Sequence, residues 1–173
     1  MHNSSFNDRI PVSLLSILSQ KADAVAVIKG SQEYPQILGK VRFYQENAGT
    51  VVFAEVRGLP DAGLPCKEAV FAFHIHEGNV CTGNEADPFL NVGAHYDPKS
   101  CMHPYHAGDL PPLFANRKGL ALSVFLTDRF SVQEIMGRTI IIHDMPDDFS
   151  TQPSGNAGQK IACGIIRQNN NLF

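Results

Sequence analysis

Residues 72–77 read Ala72-Phe73-His74-Ile75-His76-Glu77. Phe73 and Ile75 alternate with His74 and His76, and residues two apart on a strand point to one face. The period predicts a β-strand with apolar side chains on one face and two imidazoles on the other. Two imidazoles side by side make half of a metal site. His95, His103, His106 and His143 fall within the same stretch of seventy residues, as does Asp109. Histidine needed only for packing would not be sorted this way.

Outward from this stretch, short alternating runs recur, each closed by turn residues. Ala24–Lys29, Lys40–Gln45, Thr50–Arg57, Ala69–Glu77, Leu120–Thr127, Arg138–His143 and Lys160–Arg167 read as strands. Val41 and Phe43 point inward on the second, and Val52, Ala54 and Val56 share a face of the third. Ser131-Val132-Gln133-Glu134 has the spacing of a capping box and predicts one helical turn. Helical periodicity is otherwise nearly absent, so the chain reads as an all-β sandwich or barrel. Gly78 to about Lys118 and Asp144 to Gly158 are rich in Gly, Pro, Asn and Asp and read as loops. The first is too long to be structureless in a compact domain unless it is functional or tied down, and metal ligands inside it are such ties.

The chain has 173 residues, 43% hydrophobic and 18% charged, which fits one domain with an ordinary core. A net charge of −3 without long basic runs gives no expectation of nucleic acid or membrane-surface partners. No apolar run is long enough for a spanning helix. Residues 10–18 superficially resemble part of a signal peptide, but two serines interrupt them and only Arg9 precedes them. A short docking helix or strap is expected there instead. Residues 1–22 then form an N-terminal extension, 23–168 the domain and 169–173 a polar tail. The expected address is cytoplasmic, with secretion as the alternative if the N-terminus is altered. Cys66, Cys81, Cys101 and Cys163 are too few for a disulfide scaffold and lack zinc-motif spacing.

Five motifs, FHIHEGNVC, GAHYDP, HAGDLPPL, RTIIIHDMPDD and SGNAGQKIACGII, occur in that order, and together they resemble the copper–zinc superoxide dismutase family over about residues 24–167. The resemblance implies an eight-stranded Greek-key β-barrel, a flattened, immunoglobulin-like sandwich with two long metal-binding and electrostatic loops. It implies disproportionation of superoxide to dioxygen and hydrogen peroxide by one-electron cycling of a histidine-bound copper beside a structural zinc. The copper ligands implied are His74, His76, His95 and His143. The zinc ligands implied are His95, His103, His106 and Asp109, so that His95 bridges the metals and handles a proton. Imidazole suits copper, and three imidazoles with a carboxylate suit tetrahedral zinc. Asp147 aligns with a carboxylate that orients one ligand of each metal, and Cys81 and Cys163 align with the family disulfide.

Lys160 stands where the family usually has arginine, with Ser154 as a neighbour at the channel rim. It keeps the charge that attracts an anion but loses the planar fork of donors. Only Pro104 and Tyr105 separate His103 from His106, where many relatives carry a longer insert. Cys66 and Cys101 lie outside the family pattern and read as buried free thiols, a second disulfide or adventitious ligands. A copper or zinc carrier or store on the same barrel is the alternative function, and turnover separates the two. A homodimer is compatible with the resemblance.

Overall fold

A computed structural model describes residues 13–60 and 69–170. The strands are β1 (Ala24–Gly30), β2 (Leu38–Glu46), β3 (Gly49–Arg57), β4 (Ala69–Phe71), β5 (Phe73–His76), β6 (Leu113–Ala115), β7 (Ala121–Thr127), β8 (Thr139–His143) and β9 (Lys160–Gln168). A short helix, α1 (Leu14–Leu18), precedes them. All ladders are antiparallel, in the order β4-β6-β7-β3-β2-β1-β9-β8-β5. β4 and β5 are the two ends of that order, yet only Ala72 separates them in the chain. The ribbon must therefore curl until its ends meet, which gives a nearly closed Greek-key barrel.

The expected strand over 69–77 is two strands, because Ala72 leaves both ladders. Its N–H donates to Met145 O at 2.8 Å, and its carbonyl accepts from His143 N at 3.0 Å. β6 lies inside the segment expected to be loop. It is three residues long and meets β7 only at Ala115 and Ala121, too short a run to show a period. The capping box forms, with Glu134 Oε2 accepting from Ser131 N and Oγ at 2.7 Å each, but only turns follow it. Gly137, at φ +81°, ends the segment by donating to Ile166 O.

Inside the barrel, Ala24, Ala26 and Ile28 of β1 meet Val41 and Phe43 of β2, Val52, Ala54 and Val56 of β3, and Ile140 and Ile142 of β8. All are fully buried, as the alternation requires. Helix α1 docks outside the barrel, where Ile17 packs on Ala22, Tyr44 and Val51. This is the strap expected of the N-terminal run, as far as that run lies within the described residues. Among these residues no helix is long and apolar enough to cross a membrane.

Candidate metal centre

β5 places Phe73 and Ile75 in the barrel core and turns His74 and His76 to the opposite face. The long loop after β5 does not hang free. Tyr96 N donates to Ile75 O at 2.8 Å, Ile75 N to Gly108 O at 2.9 Å and Leu110 N to Phe73 O at 3.2 Å. This backbone pairing lays the loop across the imidazole face and brings His95 and Asp109 beside β5, bridged to His76 and His74 respectively. β8 ends at His143, on the strand next to β5.

Two groups result, and they share His95. His74, His76, His95 and His143 form one, His95, His103, His106 and Asp109 the other, with one ligand atom from each residue lying within 4.8 Å of the rest of its group. These are the residues that the sequence put forward. All are 9% exposed or less.

One nitrogen of each ring in the first group is committed to an oxygen, that of His95 to Asp109. His74 Nε2 donates to Asp147 Oδ2 at 2.7 Å, His76 Nδ1 to Gly93 O at 2.8 Å and His143 Nδ1 to Gly158 O at 3.3 Å. Their other nitrogens, His74 Nδ1, His76 Nε2 and His143 Nε2, are buried without a hydrogen-bond partner, as is His95 Nε2. Buried polar atoms are rarely left this way unless a ligand takes them up. Burial pushes the pKa of His74 down, that of His76 well down, and that of His143 down to about 3. The rings are neutral at physiological pH, the form that offers a lone pair.

The second group is built around a carboxylate. Asp109 Oδ1 lies 2.7 Å from His95 Nδ1, and Oδ2 lies 3.1 Å from His103 Nδ1 and 3.2 Å from His106 Nδ1. His103 Nδ1 and His106 Nδ1 are close to this oxygen but not aligned for a hydrogen bond. Zinc bonds of about 2.0–2.1 Å make the edges of a tetrahedron about 3.3 Å long, so ligand atoms already this close need little movement to share an ion. Burial alone would raise the pKa of Asp109, but the hydrogen bond from His95 and the His103 and His106 rings hold it below the usual value. The donor sets, four imidazoles and three imidazoles with a carboxylate, fit copper and zinc.

Asp147 joins the groups. Oδ2 accepts from His74 Nε2 at 2.7 Å, while Oδ1 accepts from His103 Nε2 at 2.8 Å and Phe149 N at 2.7 Å. Burial works to raise its pKa, and these three bonds overcome it, bringing the carboxyl down to about 2. Gly155, at φ +68°, leaves the room this needs, since a Cβ there would sit 2.0 Å from Asp147 Oδ1. Cys81 and Cys163 are bonded to each other and tie the start of the long loop to β9. Lys160 is the backbone partner of His143 in the β8–β9 ladder, next to a register shift, and its ammonium pairs with Asp87.

Three supporting groups had no sequence signal. Gln152 grips His103 through both backbone groups, accepting from its N–H at 3.1 Å and donating to its carbonyl at 2.7 Å. Arg129 Nη1 donates to the carbonyls of Pro104, His106 and Asp109 at 3.2–3.3 Å. Asp87 was one polar residue among many in its loop. Cys101, read as a buried free thiol, a second disulfide partner or an adventitious ligand, is free but exposed, and Cys66 lies outside the described residues.

Residues 37–166 match the family model for copper/zinc superoxide dismutase (SODC). The chain is 32% identical to Cu-Zn superoxide dismutase 2 of Aquifex aeolicus over 146 residues, 76% of this chain and 80% of the relative. It is 31% identical to the Cu-Zn superoxide dismutase of Legionella pneumophila over 161 residues, 89% of this chain and 93% of the relative. An extracellular Cu-Zn superoxide dismutase of Drosophila melanogaster is 32% identical over 163 residues, 83% of each chain. With the barrel, the shared histidine and the match in agreement, the chain belongs to the copper/zinc superoxide dismutase family.

Proposed function

We propose that His74, His76, His95 and His143 hold copper, that His95, His103, His106 and Asp109 hold zinc, and that the protein disproportionates superoxide to dioxygen and hydrogen peroxide through these residues. The carrying observation is the set of buried ring nitrogens without hydrogen-bond partners, on rings of which those of His74, His76, His95, His103 and His143 are each held by an oxygen at the other nitrogen. Bound copper supplies one-electron exchange with superoxide, and bound zinc supplies structure without redox chemistry.

The chain's own residues orient, exclude and protonate. Gly93 O, Gly158 O and Asp147 fix the tautomers of His76, His143 and His74 so that one lone pair of each faces its neighbours. The Phe89, Val92, Ile141 and Cys163 cluster packs apolar surface behind the loop. Proton handling falls to His95. Its Nδ1 lies beside Asp109, and its Nε2, buried among the other rings, can take a proton and return it to the reduced oxygen product. Lys160, opposite His143, supplies the cation that meets the anionic substrate.

Superoxide decay by the copper- and zinc-reconstituted protein tests this reading against apoprotein, equal free copper under chelator, and a His143→Ala control. Fast, chelator-resistant decay that the variant loses supports it, whereas stoichiometric bound copper without turnover refutes it and favours a carrier or store. The homodimer is supported by the outward apolar stripe Leu122, Val124 and Leu126 of β7 and is tested by light scattering. The cytoplasmic address and the secreted one are the two alternatives. The Cys81–Cys163 bond and the relative named extracellular support the secreted one, and fractionation separates them.

A further inference from the structure

Lysine is a poor substitute for arginine at an anion-binding position unless something holds it. Its stem has four rotatable carbons and its head is a point charge without a fork. Here something does hold it, since Lys160 Nζ donates to Asp87 Oδ2, with the two side chains 18% and 28% exposed. No other hydrogen-bond partner of this ammonium occurs among the described residues, so two of its three donors stay available.

The carboxylate is the fixed member of the pair. Asp87 Oδ1 accepts from Phe89 N at 3.0 Å, Asp87 N donates to Asn84 Oδ1 at 2.9 Å, and Asp87 O accepts from Asn84 N at 2.9 Å and Leu90 N at 3.2 Å. The same loop is bonded through Cys81 to Cys163, three residues beyond Lys160 on β9. The anchor of the lysine is therefore fastened to the strand that carries it.

Resting on the copper reading above, we propose that Asp87 is a positioning residue that holds the ammonium of Lys160, the ladder partner of His143. The pair trades long-range attraction for short-range aim. A charge beside its counter-charge has little field at a distance, and the cleft that Lys160 lines, about 820 Å³, also carries Glu33 and Glu85. An anion that arrives still meets the directed N–H donors of a lysine whose ladder partner, His143, is one of the four rings.

Two readouts on the copper- and zinc-loaded protein test the proposal. The first is acetylation of Lys160 by a small activated ester, followed by mass spectrometry. It is expected to run several-fold faster in Asp87→Asn than in the wild type and to return toward the wild-type rate in Asp87→Glu. The second is the ionic-strength dependence of superoxide decay. Asp87→Asn is expected to react about two- to five-fold faster at low salt and to fall more steeply as salt screens the freed charge. Lys160→Gln leaves Asp87 unpaired and reverses the slope, so that salt speeds the reaction. Equal labelling in wild type and Asp87→Asn, or equal salt slopes in all three proteins, overturns the proposal. Loaded protein with no turnover would overturn the copper reading instead, and the labelling comparison would still decide whether Asp87 holds the lysine.

Discussion

Replacing Asp147 with alanine should cost zinc more than copper. The substitution removes the acceptor of the His74 and His103 ring donors and of the Phe149 N–H, at 2.7, 2.8 and 2.7 Å. Each buried donor left without a partner costs about 1–3 kcal/mol unless water replaces the carboxylate. Loss of a carboxylate that orients a ligand typically lowers metal affinity about 10- to 100-fold, equivalent to roughly 1.4–2.8 kcal/mol. Counted for the one ring donor that serves each metal, the two estimates agree in size. The asymmetry follows from the backbone. His74 lies on β5, paired with β8 on one side and with the returning loop on the other, so its ring stays aimed after its hydrogen bond is lost. His103 lies in the loop, where its hydrogen bonds among the described residues go to Gln152 and Asp147. Competition with a chromophoric chelator should show zinc affinity falling by at least tenfold, and the copper visible band should show a smaller change. Zinc affinity within twofold of wild type, or copper released before zinc, would refute the reasoning.

Gly155→Ala should imitate that loss without removing a polar group, because its Cβ would strike Asp147 Oδ1 and lie 2.6 Å from His103 Nε2, and zinc binding by dialysed protein checks it. The Cys81→Ser/Cys163→Ser double variant should lose about 4.5 kcal/mol of stability in urea by loop entropy, since the bond spans 82 residues. A loss under 1 kcal/mol would contradict that account. Ile17→Ala should cost about 2 kcal/mol, through loss of the contact with Tyr44 and Val51, and leave metal affinity unchanged. In metal-free protein, neutral His143 contributes stability that is fully present above about pH 6.5 and is lost as pH falls toward about 3. The unfolded chain takes the proton first, at up to about 1.4 kcal/mol per pH unit, so apoprotein melting should drop across that window while loaded protein changes less.

Much of the site was legible because its residue types are rare elsewhere in the chain and its spacing is tied to a strand period. His74 and His76 read as neighbours from the alternation around Ile75, and the core positions Val41, Phe43, Val52, Ala54 and Val56 read the same way. The partition into two ligand groups and the position of Lys160 came from family resemblance, not from any period. What was hidden depends on contacts between distant segments. Ala72 breaks a strand because Met145 and His143 take its backbone groups, and no local pattern around Ala72 records that. β6 is too short to show alternation, and the capping box at Ser131 has no helix behind it because Gly137 turns the chain toward Ile166. Arg129, Gln152 and Asp87 act through loop carbonyls or a single ion pair, and isolated polar residues of that kind have no signature in a sequence.

His95 belongs to both ligand groups, and Asp147 holds a ring from each. Under the proposed assignment the two sites therefore cannot load independently. An ion in one orders groups that the other would otherwise have to order itself, so the second ion binds more tightly than it would alone. Thermodynamic reciprocity makes the factor equal in both directions, because the four states form a closed cycle. A chain stripped of zinc should loosen its grip on copper by the same ratio that removing copper loosens zinc, whichever ion enters first.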